Sequence, residues 1–372
     1  MKKYFGKLCM GGVLLFSLSM SLTSCDPYLD DILGEWSRPT PGGNVTPGGG
    51  SSSDEPTPTM KATPLTLEAI TAGTIVVKNP QAGMQFSLNS GAKQAVTTDA
   101  IPVAVGDKVQ FYGKGTDIAA YYILESPNDP SNDTRISGGS AQVKVYGNIM
   151  SLVDETGYET ATALTGDFAF GSLFYGNTML TDISDLQLPA TTLTRACYQN
   201  LFQGCTGLTT IPEALLPATT LANQCYQSMF QGTSLTTVPE KLLPATEMAT
   251  SCYATMFMSC TGLTTVPEKL LPAETLAGSC YFHMFNSCSS LTTAPKLPAT
   301  TLVNSCYRSM FYCCTALTNA YVKAAYTIAN SECSDMFLGT GPTAGTLHTT
   351  ATNKASWNGV WTNWTAADDW TD

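Results

Sequence analysis

Two hydrophobic rhythms divide the chain. Between Leu65 and about Val153 apolar and polar residues alternate, as in Leu65-Thr66-Leu67-Glu68, Met84-Gln85-Phe86-Ser87-Leu88, Lys108-Val109-Gln110-Phe111 and Gln142-Val143-Lys144-Val145-Tyr146. A period of two belongs to strands buried on one face, because successive side chains leave opposite sides of the backbone. Gly, Asn and Pro interrupt these runs as turn signals, so residues 61–160 are predicted to form a small antiparallel β-sandwich-like domain. The loop from Pro127 to Arg135 gathers Asn128, Asp129, Asn132 and Asp133; it lacks the ligand spacing of an EF-hand and is expected to be a solvated turn.

From Leu164 the rhythm lengthens. Phenylalanine returns at Phe174, Phe202, Phe230, Phe257, Phe285, Phe311 and Phe337, a period of 26–28 residues, and self-similarity on that scale signals stacked structural units. Cys-Tyr pairs at Cys197, Cys225, Cys252, Cys280 and Cys306 precede the phenylalanines. Leu-Thr-Thr-x-Pro blocks at 208–212, 235–239, 263–267 and 291–295 follow them, and a Leu-Pro-Ala segment closes each unit. Leu221, Cys225 and Met229 fall at i, i+4 and i+8, which predicts a short helix with one apolar stripe facing inward. Leu-Thr-Thr-Val predicts a short strand ended by a proline that has no N–H for a ladder. Neither element buries its apolar face alone, so the units must stack. The phenylalanine column is the expected core spine. Thr210, Thr237, Thr265 and Thr293 are expected to line an extended outer face with hydroxyls and methyls, although threonine also suits a strand without any ligand.

Both ends of the array depart from the pattern, as terminal units do when one face meets something other than a repeat. In the first unit Ala169, Phe170 and Asn177 stand for Cys, Tyr and Cys; in the last, Ser334 stands for Tyr. Residues 341–372 then bring Trp357, Trp361, Trp364 and Trp370, expected as a C-terminal cap whose large aromatics pack as core rather than stack on sugars. At the other end Lys2, Lys3 and Lys7 precede an apolar stretch from Leu8 to Leu22, too short for a comfortable membrane span, which predicts a signal peptide over residues 1–24. Residues 25–60 are rich in Pro, Gly and Ser and predict a flexible linker, leaving 61–160 as the β-domain and 161–340 as the repeat array.

Composition narrows the chemistry. Only 13% of residues are charged, with 29 acids against 18 bases, and phosphate binding needs clustered Lys and Arg, so nucleic acid is excluded as a partner. The chain has two histidines, His283 and His348. It has no HExxH, Gly-x-Ser-x-Gly, P-loop or dinucleotide fingerprint, so neither an enzyme nor a cofactor is expected. His283 takes an outward position where other units carry Asn200, Ser228, Thr255 and Ser309, as a plain surface residue does. Asp182 and Asp185, like Asp368 and Asp369, are expected to be solvated acids rather than a glycosidase pair.

Eleven cysteines lie beyond Cys9 and Cys25. In an exported chain a disulfide framework comes first to mind. Yet Cys252 and Cys260, eight residues apart, would lie about 12 Å apart along a helix, beyond the roughly 7 Å Cα limit of a bridge. The expectation is therefore free, buried thiols acting as small hydrophobes. Asn177, Cys205, Thr233, Cys260, Cys288, Cys314 and Thr340 form a column of small side chains able to bond nearby backbone. Only the adjacent Cys313-Cys314 breaks the spacing, and no metal is expected.

The block from Met256 to Pro267, Met-Phe-Met-Ser-Cys-Thr-Gly-Leu-Thr-Thr-Val-Pro, resembles the BspA-like class of leucine-rich repeats, and the resemblance covers about residues 165–340 in six or so units. Leu22-Thr23-Ser24-Cys25 resembles the lipobox of bacterial lipoproteins, in which cleavage precedes a cysteine that carries the acyl chains. The layout is similar to cell-surface lipoproteins of anaerobic Gram-negative gut bacteria. These resemblances imply an α+β protein, with an N-terminal antiparallel β-sandwich-like domain followed by a leucine-rich-repeat solenoid with 26–28-residue units. They also imply lipidation at Cys25, an outer-membrane anchor facing the cell surface, and an adhesion-type module for a host or bacterial surface protein or a glycan. A structural or spacer role without a soluble ligand is the alternative, and a glycan-processing accessory role a more distant one. Ligand identity and oligomeric state stay open.

Overall fold

The computed structural model describes residues 62–113, 133–326, 331–341 and 344–371. Cys25, the linker, and Asn128, Asp129 and Asn132 of the acidic loop lie outside the described residues. Strands and turns dominate: among the described residues the only α-helix is the single turn Lys354–Trp357. The protein is thus β-rich, with little of the helix that an α+β reading anticipates. No described helix is long and apolar enough to cross a membrane.

The alternating N-terminal segments form eight strands: β1 (Thr66–Ala69), β2 (Gly73–Lys78), β3 (Gln85–Leu88), β4 (Gln94–Ala95), β5 (Ile101–Val103), β6 (Lys108–Tyr112), β7 (Arg135–Ser137) and β8 (Val143–Asn148). One antiparallel sheet runs β8-β1-β6-β3-β4, and a smaller one runs β5-β2-β7. Period two sorts the side chains as expected: Leu67, Val109, Phe111, Val143 and Val145 are fully buried, while Glu68, Lys108 and Lys144 between them reach solvent. The larger sheet does not stop at the end of this region. β9 (Leu180–Asp182) and β10 (Leu186–Gln187) of the first repeating unit pair parallel with β8, with Val143 opposite Leu180 and Gly147 opposite Leu186. The last strand of the N-terminal region is therefore the platform on which the first unit is laid.

The segments predicted as short helices are instead ribbons of consecutive turns. In residues 194–205 the N–H groups alternate in use. Cys197, Gln199, Leu201 and Gln203 donate to carbonyls three residues back, at 3.1–3.4 Å. Ala196, Tyr198, Asn200 and Phe202 donate across to Asn223, Cys225, Gln227 and Met229 of the next unit, each at 2.9 Å. Every fourth residue takes a positive φ, as at Ala196 (52°), Asn200 (58°) and Gly204 (73°). An α-helix satisfies its own N–H groups and turns in 3.6 residues; this ribbon turns in four and gives half its donors to a neighbour. Left-handed conformations cost non-glycine residues roughly 1–2 kcal/mol each, which the inter-unit bonds, at about 0.5–1.5 kcal/mol apiece, offset.

A strict period of four puts side chains in register from unit to unit. Phe174, Phe202, Phe230, Phe257, Phe285, Phe311 and Phe337 stack with ring centroids 5.5–5.9 Å apart. Four residues earlier Phe170, Tyr198, Tyr226, Tyr253, Tyr281 and Tyr307 form a second ladder at 5.5–6.1 Å. Phe170 thus fills the tyrosine place of the first unit. In the last unit the assignment of Ser334 to that place is corrected. The Tyr307 N–H donates to Glu332, as Tyr198 does to Cys225, so Glu332 sits in the cysteine row and Cys333 in the tyrosine row.

Beyond this ladder Phe337 meets the edge of Trp361 at 5.0 Å and the ring of Trp364 at 4.6 Å. The indole N–H groups of Trp357 and Trp364 donate to the Ala324 carbonyl at 2.9 Å and to Thr340 Oγ1 at 3.0 Å.

The Leu-Thr-Thr-x-Pro blocks become a regular ladder only late in the chain. β11 (Thr293–Leu297), β12 (Asn319–Val322), β13 (Gly345–His348) and β14 (Trp364–Ala367) form a parallel four-stranded sheet. In earlier units the same blocks make only single contacts, such as the bridge between Thr265 and Thr293.

Candidate functional site

The two adjacent threonines of each block have different tasks. The first points along the stack: Thr264, Thr292 and Thr318 direct both N–H (3.0–3.2 Å) and Oγ1 (3.3–3.4 Å) to the carbonyl of the equivalent threonine one unit earlier. The second is the predicted face. Thr210, Thr237 and Thr265 are exposed and Thr293 half-buried. Register extends the row beyond the four threonines singled out in the sequence, since Thr293 pairs with Asn319, Asn319 with Thr346 and Thr346 with Thr365. Seven successive positions therefore present six hydroxyls and one amide, and none carries a charge.

At its C-terminal end this row runs beside a cluster that the sequence pattern did not reveal. Lys296, Tyr321 and His348 occupy one register line of the sheet. The imidazole of His348 stacks on the Tyr321 ring at 4.4 Å, with 13° between the planes. Its Nδ1 lies 2.8 Å from Asp369 Oδ1 and its Nε2 3.3 Å from Asn319 Oδ1. Lys296 Nζ bonds Glu268 Oε1 and the Thr371 carbonyl, each at 2.6 Å. It also stands 5.6 Å from the centre of the Trp370 ring, and Lys323 stands 5.9 Å from the same centre. The hydrogen bond from Lys296 holds the Glu268 carboxyl below its ordinary range.

The acid pairs read as solvated in the sequence are engaged by Lys144, Lys354 and His348. Asp182 and Asp185 both bind Lys144, at 3.4 and 3.0 Å. Asp368 binds Lys354 at 3.1 Å, which lowers its pKa, while its neighbour Asp369 turns to His348. Adjacent acids with separate partners do not face one substrate bond as a glycosidase pair does. His283 is half-buried, with Nδ1 2.6 Å from Asn286 Nδ2 and its ring 4.0 Å from that of Phe282; it does not approach the threonine row's cluster.

The thiols belong to the interior. The eleven cysteines from Cys197 to Cys333 form no disulfide, and ten are buried. Cys205, Cys260, Cys288 and Cys314 donate Sγ–H to the carbonyls of Phe174, Phe230, Phe257 and Phe285 at 3.0–3.1 Å. Thr233 and Thr340, in the same column, donate to Phe230 and Phe337 at 2.8 Å. Burial pushes the thiols up, Cys197, Cys205, Cys252 and Cys333 to about 12 and Cys260 and Cys306 to about 11. A buried thiol held protonated is a poor nucleophile and a poor metal ligand. Among the described residues no three His, Cys, Asp or Glu side chains converge as a metal set.

The phenylalanine column is wholly internal and takes no part in the outer face, whereas the row from Thr210 to Thr365 reaches solvent along its length. Compared with known protein families, with curated proteins and with solved structures, the chain matches none.

Proposed function

We propose that this chain is a cell-surface lipoprotein, acylated at Cys25, whose repeats form a leucine-rich-repeat solenoid of the BspA-like kind behind a β-sandwich-like N-terminal domain. It acts as an adhesion-type binding module for a host or bacterial surface protein or a glycan, and it catalyses no reaction. The observation that supports this reading is the contrast between a sealed interior and one outer row of seven uncharged polar side chains, paired in register from Thr265 to Thr365. Stacked units make such extended faces, and affinity comes from many weak, repeated contacts along them.

Two measurements test it. The full chain is screened against arrays of glycans and host matrix proteins; saturable binding is expected, and silence on both arrays favours the spacer role. Separately, cells fed a labelled fatty acid are expected to label the wild-type chain and not Cys25→Ala. Equal labelling of both overturns the anchor.

A further inference from the structure

We infer that the C-terminal end of the outer face is a subsite for a neutral, extended polysaccharide, an inference that rests on the binding-module reading above and names the ligand of that same face. Six residues carry it: Lys296, Asn319, Tyr321, His348, Asp369 and Trp370.

The first ground is charge. Lys296 is held by Glu268 at 2.6 Å, and His348 by Asp369 at 2.8 Å. Of the two lysines beside Trp370, Lys296 is thus matched by an acid, and the row leading to this end from Thr210 is uncharged. An anionic ligand needs unmatched cations in a forked arrangement; a neutral one needs hydroxyl, amide and carboxylate groups that exchange hydrogen bonds with its own hydroxyls. Asp369 uses one oxygen on His348 while its side chain stays 57% exposed, which leaves acceptor sites on the carboxylate for ligand hydroxyls.

The second ground is the kind of apolar surface. The exposed large hydrophobics of the described residues are Ile70, Val105 and Leu338; none lies on this row, which therefore lacks the continuous apolar core of an obligate protein interface. What the site offers instead is aromatic surface with polar rims, Tyr321 under its stacked imidazole and Trp370 flanked by ammonium groups. A pyranose ring, apolar across its C–H face and polar around its edge, matches such amphipathic rings.

Spacing is the third. Parallel strands repeat every ~4.8 Å, close to the advance of one sugar in an extended β-linked chain. A polysaccharide lying along the stack meets one unit per sugar, and the threonine row continues the track away from the aromatic end.

The test titrates the full chain, in a sugar-free zwitterionic detergent, with β-1,4-linked hexaoses of glucose, mannose and xylose and with hexagalacturonate as the anionic control, by calorimetry. At least one neutral hexaose is expected to bind, the galacturonate at least tenfold more weakly. Tyr321→Ala and Trp370→Leu are each expected to reduce the neutral affinity at least tenfold with an unchanged far-ultraviolet spectrum. Thr237→Val, distant from the cluster, should weaken a hexaose but leave a trisaccharide within twofold. Should Tyr321→Ala misfold, His348→Gln takes its place, with the same tenfold loss expected. Equal or tighter binding of galacturonate overturns the neutral class, and undiminished binding by the aromatic variants overturns the subsite. Failure of every hexaose together with saturable binding to a matrix protein overturns the polysaccharide while leaving the module reading intact; failure on both sides removes both.

Discussion

The two aromatic ladders inside the repeat array lie four residues apart, stack at nearly the same spacing and are equally buried, yet they are finished differently. Behind the phenylalanine ladder, the carbonyls of Phe174, Phe230, Phe257 and Phe285 each accept a thiol from the following unit, so its polar atoms are bonded and its rings end in hydrocarbon. In the tyrosine ladder every ring after Phe170 carries a hydroxyl, and those of Tyr198, Tyr226, Tyr253 and Tyr307 are buried with no hydrogen-bond partner among the described residues. A buried polar group without a partner costs roughly 1–3 kcal/mol. The tyrosines therefore hold the stack through ring area and register, against the cost of their own hydroxyls, whereas the phenylalanine side is stabilised by both packing and bonding.

The largest effect expected from this arrangement is alkaline. Six of the thiols that line the ladders have folded pKa values of about 11 to 12 because burial disfavours the thiolate, against 9.0 for an ordinary thiol. The unfolded chain ionises first, so stability is whole below pH 9 and is lost as pH rises from 9 towards 11–12. At pH 10 each thiol has cost about 1.4 kcal/mol. The six together reach on the order of 8 kcal/mol, comparable with the roughly 5–15 kcal/mol that holds a typical domain folded. Tryptophan fluorescence followed from pH 7 to 12 is expected to show a steep cooperative unfolding near pH 10. A native signal that persists beyond pH 11 breaks the picture of two protonated thiol columns.

Phe257→Ala comes next, at about 3–5 kcal/mol, since it opens a ring-sized gap between Phe230 and Phe285 in mid-ladder. A melting temperature unchanged by this substitution removes the phenylalanine column as the spine.

Much of this interior is legible in the sequence because the chemistry repeats with the period. Phe257, Cys260 and Thr233 each announce their role by column, and the alternation of Leu67, Val109 and Val145 announces the N-terminal strands. The helix over Leu221, Cys225 and Met229 misleads because a spacing of four satisfies both a 3.6-residue helix and a ribbon that turns in four. The discriminating signal lies at Gly176, Gly204 and Gly232, with Asn200 beside them. Glycine and serine recur at the positions where φ is positive, as at Ser228, Ser259, Ser287 and Ser309, and these residues favour turns and caps over a helix interior. The outer cluster stays hidden for another reason. Asn319, Tyr321 and His348 occur where the Leu-Thr-Thr-x-Pro consensus has decayed. An irregularity between Thr293 and Lys296 then shifts the register, so that counting residues does not show Lys296 beside Tyr321. Ser334 goes astray because Cys333 stands one place later than the cysteines of the other units, in the tyrosine row, with Glu332 in the cysteine row.

The junction between the array and its tryptophan end supplies a smaller test. Thr340 donates to the Phe337 carbonyl at 2.8 Å and accepts the Trp364 indole N–H at 3.0 Å. Thr340→Val keeps the shape but leaves a buried N–H without its acceptor, for an expected loss of about 1–3 kcal/mol. Chemical denaturation of the variant should show the midpoint fall with an unchanged slope. No loss of stability would mean that this end is held by ring packing alone.

The smallest effect sharpens the comparison most, because it has the opposite sign. Tyr253→Phe removes a hydroxyl that has no hydrogen-bond partner and keeps the ring, which lies 5.8 and 6.1 Å from its stacked neighbours. On the phenylalanine side every deletion subtracts packing or a bond. Here the deletion relieves an unmet polar group and makes the second ladder chemically like the first. The variant is expected to match the wild type or exceed it by about 1 kcal/mol. A loss of that size instead would show that the hydroxyl is bonded in solution, and that the two ladders are held in the same way.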